Sequence, residues 1–285
     1  MRRTAAWLAW ALIGGGARGV AAQSRGEGTA AFVAAATAAA ARYRDPAAAS
    51  ADGYRPVGPD FPAMGQHWLN ASLLVDPVLA PSRPQLLEYA EIEGTVTLVG
   101  VAYAALAQDQ TPPSVFPVPA AVWHFHAGPV EEETFMPSHA GAGHAGQGPR
   151  VAVLHVWVGL ENPDGRFASD NWALPYARRG LRAAPEAPPA TARALALAAS
   201  DGYLDELVRV VGRPDSVEAA GLAAIVRRAR RDVLALLADS AGGRRAALDP
   251  VAQRRLAGAW EDLWLALRAA ASPVVWARIA PYADR

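Results

Sequence analysis

The sequence predicts an α+β protein: an antiparallel β-sheet with an N-terminal helix and a C-terminal helical region. Three observations carry that expectation. The stretch after residue 28 is alanine-rich up to Asp45-Pro46, the middle of the chain holds short apolar runs bounded by glycine and proline, and the part beyond Pro189 keeps apolar residues at helical spacing.

The first residues have the pattern of an export leader. Met1-Arg2-Arg3 is positively charged, Thr4 to Ile13 is apolar, and Val20-Ala21-Ala22 offers a small-residue cleavage point before Gln23. The apolar part is short for a bilayer span, and Arg18 follows it, so cleavage with no lasting membrane anchor is expected. The expected location is therefore the periplasm or the extracellular space. Residues 28–44 then favour a helix that Asp45-Pro46 ends.

Residues 53–65 carry Pro56, Gly58, Pro59, Pro62 and Gly65, which predicts an ordered loop. Residues 66–74 and 85–93 read as extended. Glu93-Gly94 is a turn signal leading into residues 95–103, so a β-hairpin is expected there. Residues 122–126 and 151–158 supply two more strands, giving a sheet of about four or five.

Between them, residues 128–149 hold Glu131-Glu132-Glu133 and a glycine- and alanine-rich run with His139 and His144, which has little to bury. Asn162-Pro163-Asp164-Gly165 is a turn by composition, and residues 171–175 are expected as ordered coil. The proposed division is a leader at 1–22, an α+β core domain at 23–182, a linker at 183–189 rich in proline and alanine, and a helical region at 190–285. In that region Ser216 with Glu218 caps one helix and Asp249-Pro250 opens another, whose Leu256, Trp260, Leu263, Trp264 and Leu267 share a stripe. Such a stripe belongs in a core, against the sheet or a helical partner.

Composition excludes several functions. The chain has 27 basic and 27 acidic residues, so no net charge draws it to nucleic acid or to an anionic membrane. It has no cysteine, hence no disulfide and no thiolate ligand, and stability must come from burial. No nucleophile elbow, phosphate-binding glycine loop, His-Glu-x-x-His helix or dinucleotide fingerprint is present.

The chemical clue is histidine. All six histidines fall between His67 and His155, and His124 and His126 stand two apart in an apolar run, which on a strand puts both imidazoles on one face. Such a pair can offer two nitrogen ligands to one metal ion, and with His155 and a carboxylate such as Glu131 the set would suit zinc, copper or iron. The spacing of His124, His126 and Glu131 partly matches the metal motif of the cupin barrel, although the glycine expected after Glu131 and the Pro-x-Gly element expected before His155 are missing. The plain alternative is that these are half-buried strand residues with hydrogen-bonded rings.

Several strings together resemble a family of exported bacterial proteins known only as a domain of unknown function. They are Ala41-Arg42-Tyr43-Arg44-Asp45 with Ala51-Asp52-Gly53-Tyr54, then Met64-Gly65-Gln66-His67-Trp68-Leu69-Asn70 and Leu98-Val99-Gly100-Val101-Ala102-Tyr103. Leu154-His155-Val156-Trp157 followed by Asn162-Pro163-Asp164-Gly165-Arg166-Phe167 completes the set, which covers residues 28–175. The resemblance implies no activity. It does single out His67 and His155 as the better ligand candidates, with His124 or His126 third, and it marks residues 128–149 as an elaboration. Relatives of this type often carry glutamate where this chain has Ala102, so a carboxylate is expected to be absent at that place.

Three functional readings follow. The first is a non-catalytic exported protein that binds a transition metal through His67, His155 and one of His124 and His126. The second is a cupin-like metalloenzyme using His124, His126, Glu131 and His155. The third is a structural protein whose tryptophan-bearing helix builds a homo-oligomer.

Overall fold

The computed structural model describes residues 14–107, 111–127, 150–184, 186–199, 217–239, 246–280 and 283, with side chains from residue 26 onward and excepting a few isolated positions. The fold is α+β, as the sequence predicts. Six strands form one antiparallel sheet in the order β1-β2-β3-β4-β6-β5: β1 Arg55–Phe61, β2 Gly65–Leu69, β3 Leu86–Ile92, β4 Thr95–Ala107, β5 His124–Ala127 and β6 Arg150–Trp157. The hairpin joining β3 to β4 turns at Glu93 and Gly94, both at positive φ (50° and 78°), the backbone geometry that matches the twist of the flanking strands.

Residues 55–61 correct the expected loop at 53–65, because they form edge strand β1. Proline and glycine are tolerated there: β1 pairs on one side only, and its register shifts between Val57 and Phe61, with Gly58 at φ 67° in the irregular stretch. Two other expectations are adjusted. Strand β2 ends at Leu69, where the Asn70 side chain caps the short helix α3 (Ala71–Leu74) by accepting from the Leu73 N–H. Residues 174–178, expected as coil, form helix α4 (Leu174–Arg178).

The two faces of the sheet are covered differently. One face meets helix α1 (Gly14–Ala41), whose Phe32, Ala36 and Ala40 recur every fourth residue and pack on Tyr89, Val101, Tyr103, Leu154 and Val156. The helix runs unbroken through the expected cleavage point after Ala22. Asp45 does stop it, after a 3-10 turn at Arg42–Arg44, and then caps helix α2 (Pro46–Ala51) by accepting from the Ala47 N–H. Three buried tyrosines fix this layer: the hydroxyls of Tyr54, Tyr89 and Tyr103 donate to the carbonyls of Pro84, Tyr43 and Pro81. Burial, the largest cause, pushes the pKa of all three well above the ordinary tyrosine value of 10.

The other face carries two smaller apolar clusters. Leu74 of α3 packs with Leu86, Ala102, Ala104 and Val153, while Leu174 of α4 packs with Ala90, Val99 and Trp157. The histidines lie between these clusters.

The C-terminal region is helical: α5 (Pro189–Ala199), α6 (Val217–Asp239), α7 (Pro250–Ala270) and α8 (Pro273–Ile279). Its core is built on the predicted α7 stripe, with Leu256, Trp260, Leu263, Trp264 and Leu267 all buried against α5 and α6. Asp249 caps α7 as expected, accepting from the N–H groups of Val251 and Ala252. Glu218 instead reaches across to accept from the Ser272 N–H at 2.6 Å, tying α6 to the start of α8; Ser216 lies outside the described residues. This core joins the rest of the chain through Trp172, Tyr176 and Leu181, so the helices pack on the α4 segment rather than broadly on the sheet. Among the described residues no helix is long and apolar enough to cross a membrane.

Candidate metal centre

Antiparallel register assembles the site. His67 on β2 stands directly opposite Glu88 on β3, Glu88 is opposite Gly100 on β4, and two residues along the same face Ala102 is opposite His155 on β6. Because alternate residues of a strand share a face, β2, β3 and β6 deliver His67, Glu88 and His155 to one side of the sheet, with β4 between β3 and β6. One ligand atom from each of the three lies within 4.8 Å of the others. That group could hold a metal ion, since donors about 2.1 Å from a tetrahedral centre are about 3.4 Å apart, and side-chain torsions suffice to close the difference.

All three side chains are buried. Glu88 is 0% exposed, His155 2% and His67 9%. Nδ1 of His155 contacts Oε1 of Glu88, Nε2 of His67 lies 3.9 Å from the same oxygen, and the two imidazole rings are 6.0 Å apart at their centroids. The second carboxylate oxygen, Glu88 Oε2, is buried without a hydrogen-bond partner. A carboxylate removed from water is costly unless its oxygens find hydrogen-bond or charged partners.

Space for the carboxylate comes from Gly100. A Cβ at that position would collide with Oε2 of Glu88 and would lie 3.2 Å from the Trp157 ring. A glycine in the middle of a central strand is otherwise a weakness, and here it marks the place where another side chain lies against the backbone.

His155 is also ordered by its ring neighbours. The His124 ring stacks on it at 5.1 Å and 12°, and Trp157 lies nearly parallel at 6.2 Å and 12°. Trp157 is in turn held by the turn that follows it, its indole N–H donating to the Ala168 carbonyl and its backbone N–H to the Arg166 carbonyl. Asn162 and Asn171 brace that turn through hydrogen bonds to the carbonyls of Asp170 and Leu160.

The sequence-based candidates therefore separate. His67 and His155, both named as candidates from the sequence, come together. His124 reaches the same face and stacks on His155, and it is not among the three converging groups. Backbone pairing sets His126 opposite Val151, with its side chain outside the described atoms; Glu131, His139 and His144 lie outside the described residues. The β5 strand begins at His124, two residues later than expected, because residues 120–122 form a 3-10 turn.

Glu88 is the member of the converging group that sequence reasoning missed. Its signal was a lone acidic residue inside the apolar string Leu86-Leu87-Glu88-Tyr89-Ala90, facing a glycine in the partner strand. Position 102 is alanine, and Glu88 on the neighbouring strand places a carboxylate on the same face, opposite Gly100. A closed cupin barrel is not formed by the described strands, which make a single sheet with β1 and β5 at its edges.

Compared with protein-family models, curated proteins and solved structures, the chain finds no match. The chemistry of the site must therefore be read from its own donors. Two borderline imidazole donors with one hard carboxylate would suit zinc, copper or iron, and three such donors would leave at least one coordination position for water or another small ligand.

Proposed function

We propose that this is an exported protein that binds one transition-metal ion, zinc, copper or iron, through His67, Glu88 and His155. One observation carries the reading: a fully buried carboxylate lies between two imidazoles, with one oxygen lacking any hydrogen-bond partner. A purely structural glutamate would be expected to have both oxygens satisfied, because an orphaned buried acceptor costs about 1 to 3 kcal/mol. A bound cation meets that need and at the same time uses both imidazoles.

Export is supported by the charged, apolar and small-residue pattern of residues 1–22. Binding without catalysis is the simplest role for ligands this deeply buried, and the ion would tie together strands β2, β3 and β6. A homo-oligomer built through the α7 tryptophans has less support, since Trp260 and Trp264 are 3% and 7% exposed inside the chain's own helical core.

The test is thermal unfolding of chelator-treated protein with and without zinc or copper. At a hundredfold excess over Kd, one site adds about 2.7 kcal/mol, which for a chain of this size raises Tm by about 5 to 10 °C. One equivalent of bound metal with that gain supports the proposal. Substoichiometric metal with no gain refutes it.

A further inference from the structure

A groove of about 320 Å³ opens beside the site, lined by residues 121–124 and 164–169. Both walls flank the same edge of β6. On one side β5 pairs with Ala152 and Val153 through Phe125 and His124; on the other, the Arg166 carbonyl accepts from the Trp157 N–H. His155 lies on β6 between these two attachments.

We propose that this groove is the loading site through which a divalent transition cation reaches the buried centre, with His124 as its transient ligand; the inference rests on the metal-binding reading above. His124 is half-buried and lines the groove, while its ring stacks on His155 at 5.1 Å. It therefore touches solvent on one side and an inner ligand on the other. A metal ion moves into a desolvated site by exchanging water for protein donors one at a time, so an outer imidazole against an inner one provides the intermediate stop. Asp164, exposed on the opposite wall, adds a carboxylate that favours a cation. The Arg166 guanidinium donates to the Trp157 carbonyl and is thereby anchored to the β6 backbone. Because His124 is not one of the three converging groups, its contribution should be to the rate of exchange rather than to the final affinity.

The experiment measures zinc uptake by chelator-treated protein in a stopped-flow instrument, zinc release to excess chelator, and the equilibrium Kd, for the unaltered chain, His124→Ala and Ala121→Trp. The second variant narrows the groove without touching an imidazole. Both variants are expected to slow uptake and release together, by about tenfold, with Kd unchanged within about twofold. Wild-type exchange rates in both variants would overturn the proposal, because the ion would then travel another way. A Kd weakened in step with faster release in His124→Ala would also overturn it, by making His124 a ligand of the resting site. Failure of the unaltered chain to bind any of zinc, copper and iron would instead overturn the metal-binding reading itself.

Discussion

Glu88 and Gly100 face each other across β3 and β4, and the carboxylate of the first fills the volume that any side chain at the second would need. A strand interior gives up conformational stability to keep a glycine, so the arrangement makes sense only if the carboxylate is wanted there. The same carboxylate receives His155 from β6 and stands opposite His67 on β2. One small residue thus sets the geometry of the whole centre.

Replacing Gly100 with alanine should displace the carboxylate and crowd Trp157. The expected cost is about 1 to 3 kcal/mol of stability, the usual range for overpacking, together with loss of the metal-induced rise in Tm. The double change Gly100→Ala with Glu88→Ala should recover part of that cost, since the two groups compete for one volume, and urea unfolding of the four proteins in the cycle reads the coupling. Strict additivity would show that the two positions do not interact.

Glu88→Gln keeps the shape and an oxygen that can accept from His155, but removes the charge. The metal-free protein should change by no more than about 1 kcal/mol, while metal affinity falls by at least about tenfold. Denaturant unfolding and direct metal titration check the two halves separately. A variant that binds metal as well as the parent would remove Glu88 from the ligand set.

Alkaline pH should unfold the chain cooperatively. Burial raises the pKa of Tyr54, Tyr89 and Tyr103 above 10, and pushes Tyr176 up to about 12. The folded state therefore keeps protons that the unfolded chain releases above about pH 10, so this contribution to stability is complete below that pH and is lost as pH rises beyond it. Tyrosinate absorbance and circular dichroism followed together should change in one step. Ionisation of these tyrosines near pH 10 with the dichroism intact would contradict the assignment.

Trp260→Ala should cost about 3 to 5 kcal/mol, the range for emptying a large aromatic site in a core. Trp260 packs edge-on against Trp264 at 5.7 Å, and its indole N–H donates to the Ala283 carbonyl at 3.3 Å. Metal affinity should be unaffected, because the ligands lie on the sheet. Light scattering on the same variant separates core packing from assembly: a changed molar mass with little loss of stability would favour an oligomer interface.

Much of the fold was legible because local signals agreed with it. Glu93-Gly94 between two apolar runs specified the β3–β4 hairpin, Asp249-Pro250 specified the start of α7, and the α7 stripe specified a core face. Strand β1 was not legible: its prolines and glycines argue against a strand unless it is known to lie at a sheet edge, and edge position is a tertiary fact. The same limit applied to the centre. His67 and His155 were named as candidates from the sequence, but Glu88 joins them only through the cross-strand register that sets it opposite His67 and Gly100, and a lone acidic residue in an apolar run does not display that register. The His124-x-His126 pair was the most visible histidine signal in the sequence, yet its strand is the sheet's edge, where His124 stacks on His155 outside the three converging groups.

The most direct measurement is the position of bound metal, read by anomalous diffraction from crystals grown with one equivalent of zinc. A single strong peak is expected about 2.0 to 2.2 Å from a nitrogen of His67, a nitrogen of His155 and an oxygen of Glu88. A peak elsewhere on the protein with this pocket empty would contradict it.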